Sequence, residues 1–233
     1  MKILTIIPAR GGSKGIKLKN LSKINEKPLV ALSSEHSVES KLINRTIVST
    51  DNEEIAKISE EYGDEIPIFR SKELAGDSIL DLPVFEHMLT YLKEEENYEP
   101  EIVVHLRPTS PYRKAEWVDS AIKLLIENTS ADSVRSVSEP SQHPYRVFEI
   151  KNNYLQSVMN ERHPEPYLLR RQDLPKMYYY NCVIDVTKPA TIFNKKSMTG
   201  DKMLPYIMKN EDSMDIDSPM DLEFAKVFLK GRV

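Results

Sequence analysis

The sequence of 233 residues holds a single cysteine, Cys182, a single tryptophan and only seven glycines. One cysteine excludes an internal disulfide and suits a reducing compartment. A membrane-spanning helix needs about 20 consecutive apolar residues, and the longest runs here are far shorter, so no membrane partner is expected. The opening MKILTIIPAR has too short an apolar part for a signal peptide, so it reads as a buried first strand and a cytoplasmic location is expected. An excess of positive charge is also missing: the net charge is −4, which argues against nucleic-acid binding. The five histidines are scattered without zinc spacing, and no Ser/His/Asp nucleophile system stands out. His105, on a strand before Arg107, reads as a buried strand histidine.

What is present is an alternation. Short apolar runs at 3–9, 45–50, 66–69, 102–106 and 133–137 read as strands. Between them, 51–62, 78–96 and 115–127 carry apolar residues at helical spacing, the first opening on Asp51 as N-cap. This strand–helix–strand repetition predicts an α/β fold, a Rossmann-like doubly wound and mainly parallel sheet, as one domain over 1–233. After about Ser138 the pattern breaks. Proline and aromatics become frequent, VFEIKNNYLQSV predicts a hairpin turning at Asn152-Asn153, and 139–176 reads as an excursion from the sheet. The chain returns with strands over 178–186 and 204–208. It closes in a helix over 218–230, where SPMD supplies an N-cap serine, an N1 proline and the dipole partner Asp221.

Three of the seven glycines fall within five residues, in ARGGSKGIKLKN directly after the first strand, among Arg10, Lys14, Lys17 and Lys19. Ligands of open α/β sheets bind beyond the carboxyl ends of the strands. Glycines let backbone N–H groups approach phosphate oxygens, and the cations neutralise their charge. The run fits neither G-x-G-x-x-G nor a Walker A loop, so it reads as a phosphate loop of a third type, or as a tight basic turn. Near the far end, Asp215 and Asp217 stand at i, i+2, where an extended segment points both carboxylates to one side. Such a pair suits Mg²⁺ that keeps several waters, or a turn before the last helix.

IPARGGSKGIKLKN, VSTDNEEIA (48–56), LRPTSPYR (106–113), RRQDLPKMYYYN (170–181) and DIDSPMDLEFA (215–225) together resemble the acylneuraminate cytidylyltransferases, the CMP-sialic acid synthetase-like enzymes that activate nonulosonic acids. The five motifs fall in the family's order and cover nearly the whole chain. The resemblance implies a Rossmann-like domain with a small dimerisation excursion, a homodimer, Mg²⁺ as cofactor, and a place in surface polysaccharide or glycan biosynthesis. The reaction it implies is transfer of a nucleotide monophosphate from an NTP, with CTP favoured, to a sialic-like acid, with release of pyrophosphate. Arg10, Lys14 and Lys19 then contact the triphosphate as the catalytic cations, with Gly11, Gly12 and Ser13 in the same loop. Asn20, Arg70 and Ser78 contact the nucleotide. Arg107, Thr109, Ser110, Arg170, Arg171, Gln172 and Asn181 reach the sugar, and Asp215 and Asp217 hold the metal. Lys17 has no such match and reads as a surface charge. Arg135 and Arg146 are the candidates for a basic residue contributed across the dimer.

Two positions depart from the family pattern. The sialic-acid enzymes carry glutamine where Arg107 stands, and Asn-Gly where this chain has Asn181-Cys182. A guanidinium suits a carboxylate or phosphate, unless it turns away to pair with an acid. The Cys182 thiol reads as inert packing, since no neighbouring residue marks a base. A sugar-1-phosphate nucleotidyltransferase, using CTP or GTP, therefore stays open as a second reading. A non-catalytic nucleotide-sugar-binding module is a third, against which the intact basic loop and aspartate pair speak.

Overall fold

The computed structural model describes residues 1–231, all but the last two of the expected domain. Its strands are β1 (Ile3–Pro8), β2 (Lys23–Ile24), β3 (Lys27–Pro28), β4 (Arg45–Ser49), β5 (Ile102–His105), β6 (Ser133–Ser138), β7 (Phe148–Lys151), β8 (Tyr154–Ser157), β9 (Tyr179–Thr187) and β10 (Met203–Ile207). The helices are α1 (Leu29–Val38), α2 (Glu53–Glu61), α3 (Asp81–Glu96), α4 (Ala115–Glu127), α5 (Pro189–Lys195) and α6 (Pro219–Phe228). Six strands form one sheet in the order β10-β6-β9-β5-β1-β4. All its pairings are parallel except those of β9, which runs antiparallel to β5 and β6. The mainly parallel α/β expectation holds.

The sheet is covered on both faces. Successive residues of β1 show why: Ile3 and Ile7 join one core with residues of α1, α2 and α4, while Leu4 and Ile6 join a second with Phe85, Met88 and Leu92 of α3. A strand apolar at both parities is stable only between two layers. Each such side chain contributes about 1.5–3 kcal/mol when fully buried. A third cluster joins Ile24, Leu29 and Leu32 to Ile216 of the last loop and Ala225 of α6.

Several boundaries differ from the sequence reading. Asn52, not Asp51, caps α2, accepting from the backbone N–H of Ile55 at 3.0 Å; Asp51 is used elsewhere. Helix α3 begins at Asp81 rather than at 78, because a turn closed by Ile79 N–H on the Gly76 carbonyl precedes it. The strand expected over 66–69 does not form. Only Glu65 bridges to Ile47, and Pro67 then has no N–H for a ladder. Helix α1 escaped notice because Leu29, Val30, Ala31, Leu32, Ser33, Ser34, His36 and Ser37 are all buried, leaving no polar stripe to set a period. The β7–β8 hairpin turns where expected, with φ of 51° and 67° at Asn152 and Asn153, a type I′ turn. Arg135 lies buried in β6, so the structure removes it as a residue that could reach a partner.

Candidate active site

The topology gathers the site. Strands β1, β4 and β5 are parallel neighbours, so Arg10, Asp51 and Arg107, each just past a strand end, emerge at one edge of the sheet. β9 runs the other way and enters the sheet there. A cavity of about 230 Å³ opens at this edge, with Arg10, Lys19, Arg70 and Arg107 in its wall. Against these four cations Asp81 is the lone acidic lining residue among those described, so the cavity is set for an anion. Gly12, Ser13, Asn20 and Thr109 complete the polar lining.

The basic loop is held in place by acids and by close packing. Gly11 N–H donates to Asp51 Oδ1 at 2.7 Å, which is where Asp51 is spent. A Cβ on Gly11 would stand 2.9 Å from Asn52 Cβ, and one on Gly15 would stand 2.4 Å from the carbonyl oxygen of Asp217. Gly15 thus lets the loop press against the aspartate segment. Lys19 ties the same two pieces, with Nζ 2.8 Å from the Ile216 carbonyl and 3.2 Å from Asp217 Oδ1. Arg10 and Lys14 face the segment 71–80. Asp77 lies 2.6 Å from Arg10 Nη1 and 3.3 Å from Lys14 Nζ. Those two contacts, Arg10 first, lower the Asp77 carboxyl pKa. Ser78 is exposed beside Asp77, and Lys17 is exposed as expected.

Arg70 is buried with its guanidinium on the hydroxyl and carbonyl of Ser49. Burial lowers its pKa to about 10, which leaves it charged at neutral pH. Asn20 is also buried, its amide donating to the Arg10 carbonyl at 2.9 Å.

Asp215 and Asp217 flank Ile216, whose side chain is fully buried and whose N–H donates to the Thr109 carbonyl at 2.9 Å. Fixing the middle residue inward turns both carboxylates toward the solvent side near Lys19 and Thr109. Desolvation raises the Asp215 pKa, opposed by a hydrogen bond with Thr109 and assisted by the charge of Asp217. No group of three or more His, Cys, Asp or Glu side chains with metal-binding geometry occurs among the described residues. Two carboxylates beside a cationic cavity fit a hard cation that takes its other ligands from water and phosphate.

At the far end of the cavity, Arg107 Nη1 lies 2.6 Å from Asp185 Oδ2, and Nη2 lies 3.0 Å from Asp81 Oδ2. Burial works against the guanidinium charge, but Asp185, Tyr180 and Asp81 together outweigh it and raise its pKa. Arg113 is buried on the carbonyls of Val183 and Arg107, pinning this loop to β9. His105 is buried in the same cluster; burial, then the charge of Arg107, lowers its pKa well below the usual histidine range, so it is neutral.

A bulge in β9 builds that cluster. Arg135 and Val137 of β6 pair with Asp185 and Tyr180, so two residues of β6 span five of β9. Cys182 sits in the bulge at φ 62°, and the odd offset brings the Tyr180 hydroxyl onto the carboxylate of Asp185. Asn181 is buried and serves the bulge, its Oδ1 accepting from the Val183 N–H at 3.2 Å and its Nδ2 donating to Ser138 at 2.8 Å. Ser110 is likewise fully buried, with its hydroxyl 3.4 Å from the Cys182 carbonyl. Arg170, Arg171 and Gln172 are exposed in the excursion. Arg170 pairs with Asp173 at 2.6 Å, and Arg171 lines a second cavity of about 470 Å³ with His143 and Arg146. Neither borders the cavity of Arg10. Asp51, Asp77, Asp81 and Asp185 were missed in the sequence. For Asp185 there was a signal, a lone acid inside the apolar run VIDV.

Residues 4–227 match the cytidylyltransferase family. The chain is 32% identical over 96% of its length to the N-acylneuraminate cytidylyltransferase of Escherichia coli, spanning 51% of that longer protein. It is 30% identical to the CMP-N,N′-diacetyllegionaminic acid synthase of Campylobacter jejuni, covering 98% of this chain and 95% of that one. A solved structure of CMP:2-keto-3-deoxy-manno-octonic acid synthetase with CTP matches the fold over all of both chains, with a TM-score of 0.75 at 13% identity. Among the described residues no helix is long and apolar enough to cross a membrane.

Proposed function

The chain belongs to the cytidylyltransferase family, and from that premise we propose that it transfers CMP from CTP to a nonulosonic (sialic-like) acid. The observation that carries this is the four-cation cavity at the sheet edge with the Asp215/Asp217 pair beside it. The anomeric hydroxyl of the sugar acid attacks the α-phosphorus; its oxygen bonds to phosphorus, the bond to the bridging oxygen of the β-phosphate breaks, and pyrophosphate leaves. The nucleophile belongs to the substrate, so the protein's work is positioning and charge.

Arg10, Lys14 and Lys19 neutralise the triphosphate, with the backbone of Gly11, Gly12 and Ser13 around it. Asn20, Arg70 and Ser78 hold the nucleotide, and Arg107 and Thr109 face the acceptor. Asp215 and Asp217 would hold Mg²⁺, which when bound draws charge from the reacting phosphates. The excursion is the dimer element: Ile150, Tyr154 and Leu155 of its hairpin are 75%, 78% and 68% exposed, an apolar strip suited to a second copy. A homodimer working in the reducing cytosol follows, with Arg170, Arg171 and Gln172 reaching a sugar from this element. The sugar-1-phosphate reading leaned on Arg107 as an unopposed charge, and Asp185 and Asp81 already balance it.

Lys19→Ala and Asp217→Asn test the assignment of the triphosphate end. Each should lower kcat with CTP by about 100-fold or more while leaving the unfolding midpoint in place. Full turnover in both variants would remove this cavity as the reacting site.

A further inference from the structure

Resting on that reading, we propose that Arg107 and Asp81 form a donor–acceptor pair that binds an acylamino group of the acceptor, with Asp185 as the positioning residue behind Arg107. The charge count comes first. Arg107 meets two carboxylates, and Arg135 Nη1 lies 3.6 Å from the other oxygen of Asp185. Two guanidinium groups and two carboxylates cancel. A carboxylate or phosphate placed here would have to displace Asp81 or lie beside it at like charge. The acceptor's anion therefore belongs at the Arg10, Lys19 and Arg70 end, and this end reads an uncharged group.

The geometry says which kind. Both side chains line the cavity, Arg107 one-fifth exposed at 20% and Asp81 at 39%. Among the described residues Arg107 Nη2 donates only to Asp81 Oδ2, and Asp81 Oδ1 accepts no hydrogen bond. The pair thus offers one donor and one acceptor side by side. An amide presents the complement, a carbonyl that accepts from Arg107 and an N–H that donates to Asp81, whereas carboxylate and phosphate only accept. Ile79, Leu80 and Val84 line the same cavity, an apolar surface for the acyl carbon chain. Two of the relatives are named for sugars that carry N-acyl groups.

Asp185, 1% exposed, does not reach the acceptor. It fixes the guanidinium plane, and the β9 bulge adds the Tyr180 hydroxyl on the same carboxylate oxygen.

The test uses matched acceptors, one sugar acid with its acylamino group and the same acid with hydroxyl in its place, at saturating CTP and Mg²⁺. Asp81→Ala alters a half-exposed side chain and should fold. It should lower kcat/KM for the acylamino acceptor by about 10- to 100-fold and for the hydroxyl analogue by less than about threefold, with KM for CTP unmoved. Asp81→Asn, which keeps an acceptor oxygen, should recover part of the loss. Asp185→Asn should raise KM for the acylamino acceptor without moving KM for CTP. Equal losses for the two acceptors in Asp81→Ala, or no loss, would overturn the proposal while the transferase reading stands. Silence of the unaltered protein with every sugar acid would overturn that reading and this proposal with it.

Discussion

Cys182 holds a backbone conformation that suits glycine: at φ 62° its Cβ crowds the chain, which costs a non-glycine residue about 1–2 kcal/mol. Its thiol pKa is raised, first by burial, so little thiolate forms at neutral pH and a nucleophilic role is ruled out of the account. Cys182→Gly should therefore retain turnover and hold or raise the denaturant midpoint, while the β-branched Cys182→Val lowers stability by about 2 kcal/mol. A more stable valine variant would contradict the strain assigned to the bulge. The family pattern marked this position in the sequence as unusual. The sign of φ was not legible, because it follows from pairing β9 with β6 out of step.

Asp64 is a second residue-level case. It is buried, the Ser34 hydroxyl donates to it, and its Oδ1 has no hydrogen-bond partner. Burial pushes its pKa up to about 6, with the Ser34 bond opposing. The folded protein thus holds a proton there that the unfolded chain releases near pH 4. Between pH 4 and 6 the folded state binds more protons than the unfolded one, so this group's contribution to stability falls as pH rises, by roughly 3 kcal/mol in all. Urea unfolding should show Asp64→Asn gaining about that much on the parent protein from pH 4 to pH 8. A difference flat across that range would refute the shift.

At the scale of elements, the basic loop works as a unit because its glycines allow contact on two sides. Gly15→Ala puts a carbon against the Asp217 backbone, so the loop or the aspartate segment must move; kcat/KM for CTP should drop by about 10- to 100-fold. At Gly12 a Cβ would meet nothing closer than Arg10 Nη1 at 3.6 Å, and Gly12→Ala should cost far less. Comparable losses would mean that backbone freedom, not close approach, selects both glycines. The facing segment 71–80 places Asp77 on Arg10 and Lys14, where a triphosphate would compete with it. Asp77→Asn should lower KM for CTP by about two- to fivefold and weaken its salt dependence. A higher KM would show instead that Asp77 positions the two cations for the nucleotide.

The loop, the alternating strands, the hairpin and the Asp-x-Asp pair were legible in the sequence, because each depends on residues close together in the chain. Helix α1 was not, because burial on every side erases its period. The acids that answer the cations were not legible either. Asp51, Asp81 and Asp185 come from three elements and meet Gly11 or Arg107 only after the sheet is assembled.

For the whole molecule, the parallel strands deliver cations to one edge and the reversed β9 delivers the acids that balance Arg107. The edge is thereby divided into a cationic end and a charge-neutral end. That division is the reason to assign a triphosphate to one part and a sugar acid to the other. The most direct test is pyrophosphate release with Mg²⁺, crossing CTP and GTP against nonulosonic acids and hexosamine 1-phosphates. The account predicts release with CTP and a nonulosonic acid, and none with the sugar phosphates. Release with a sugar 1-phosphate, or from GTP alone, would contradict it.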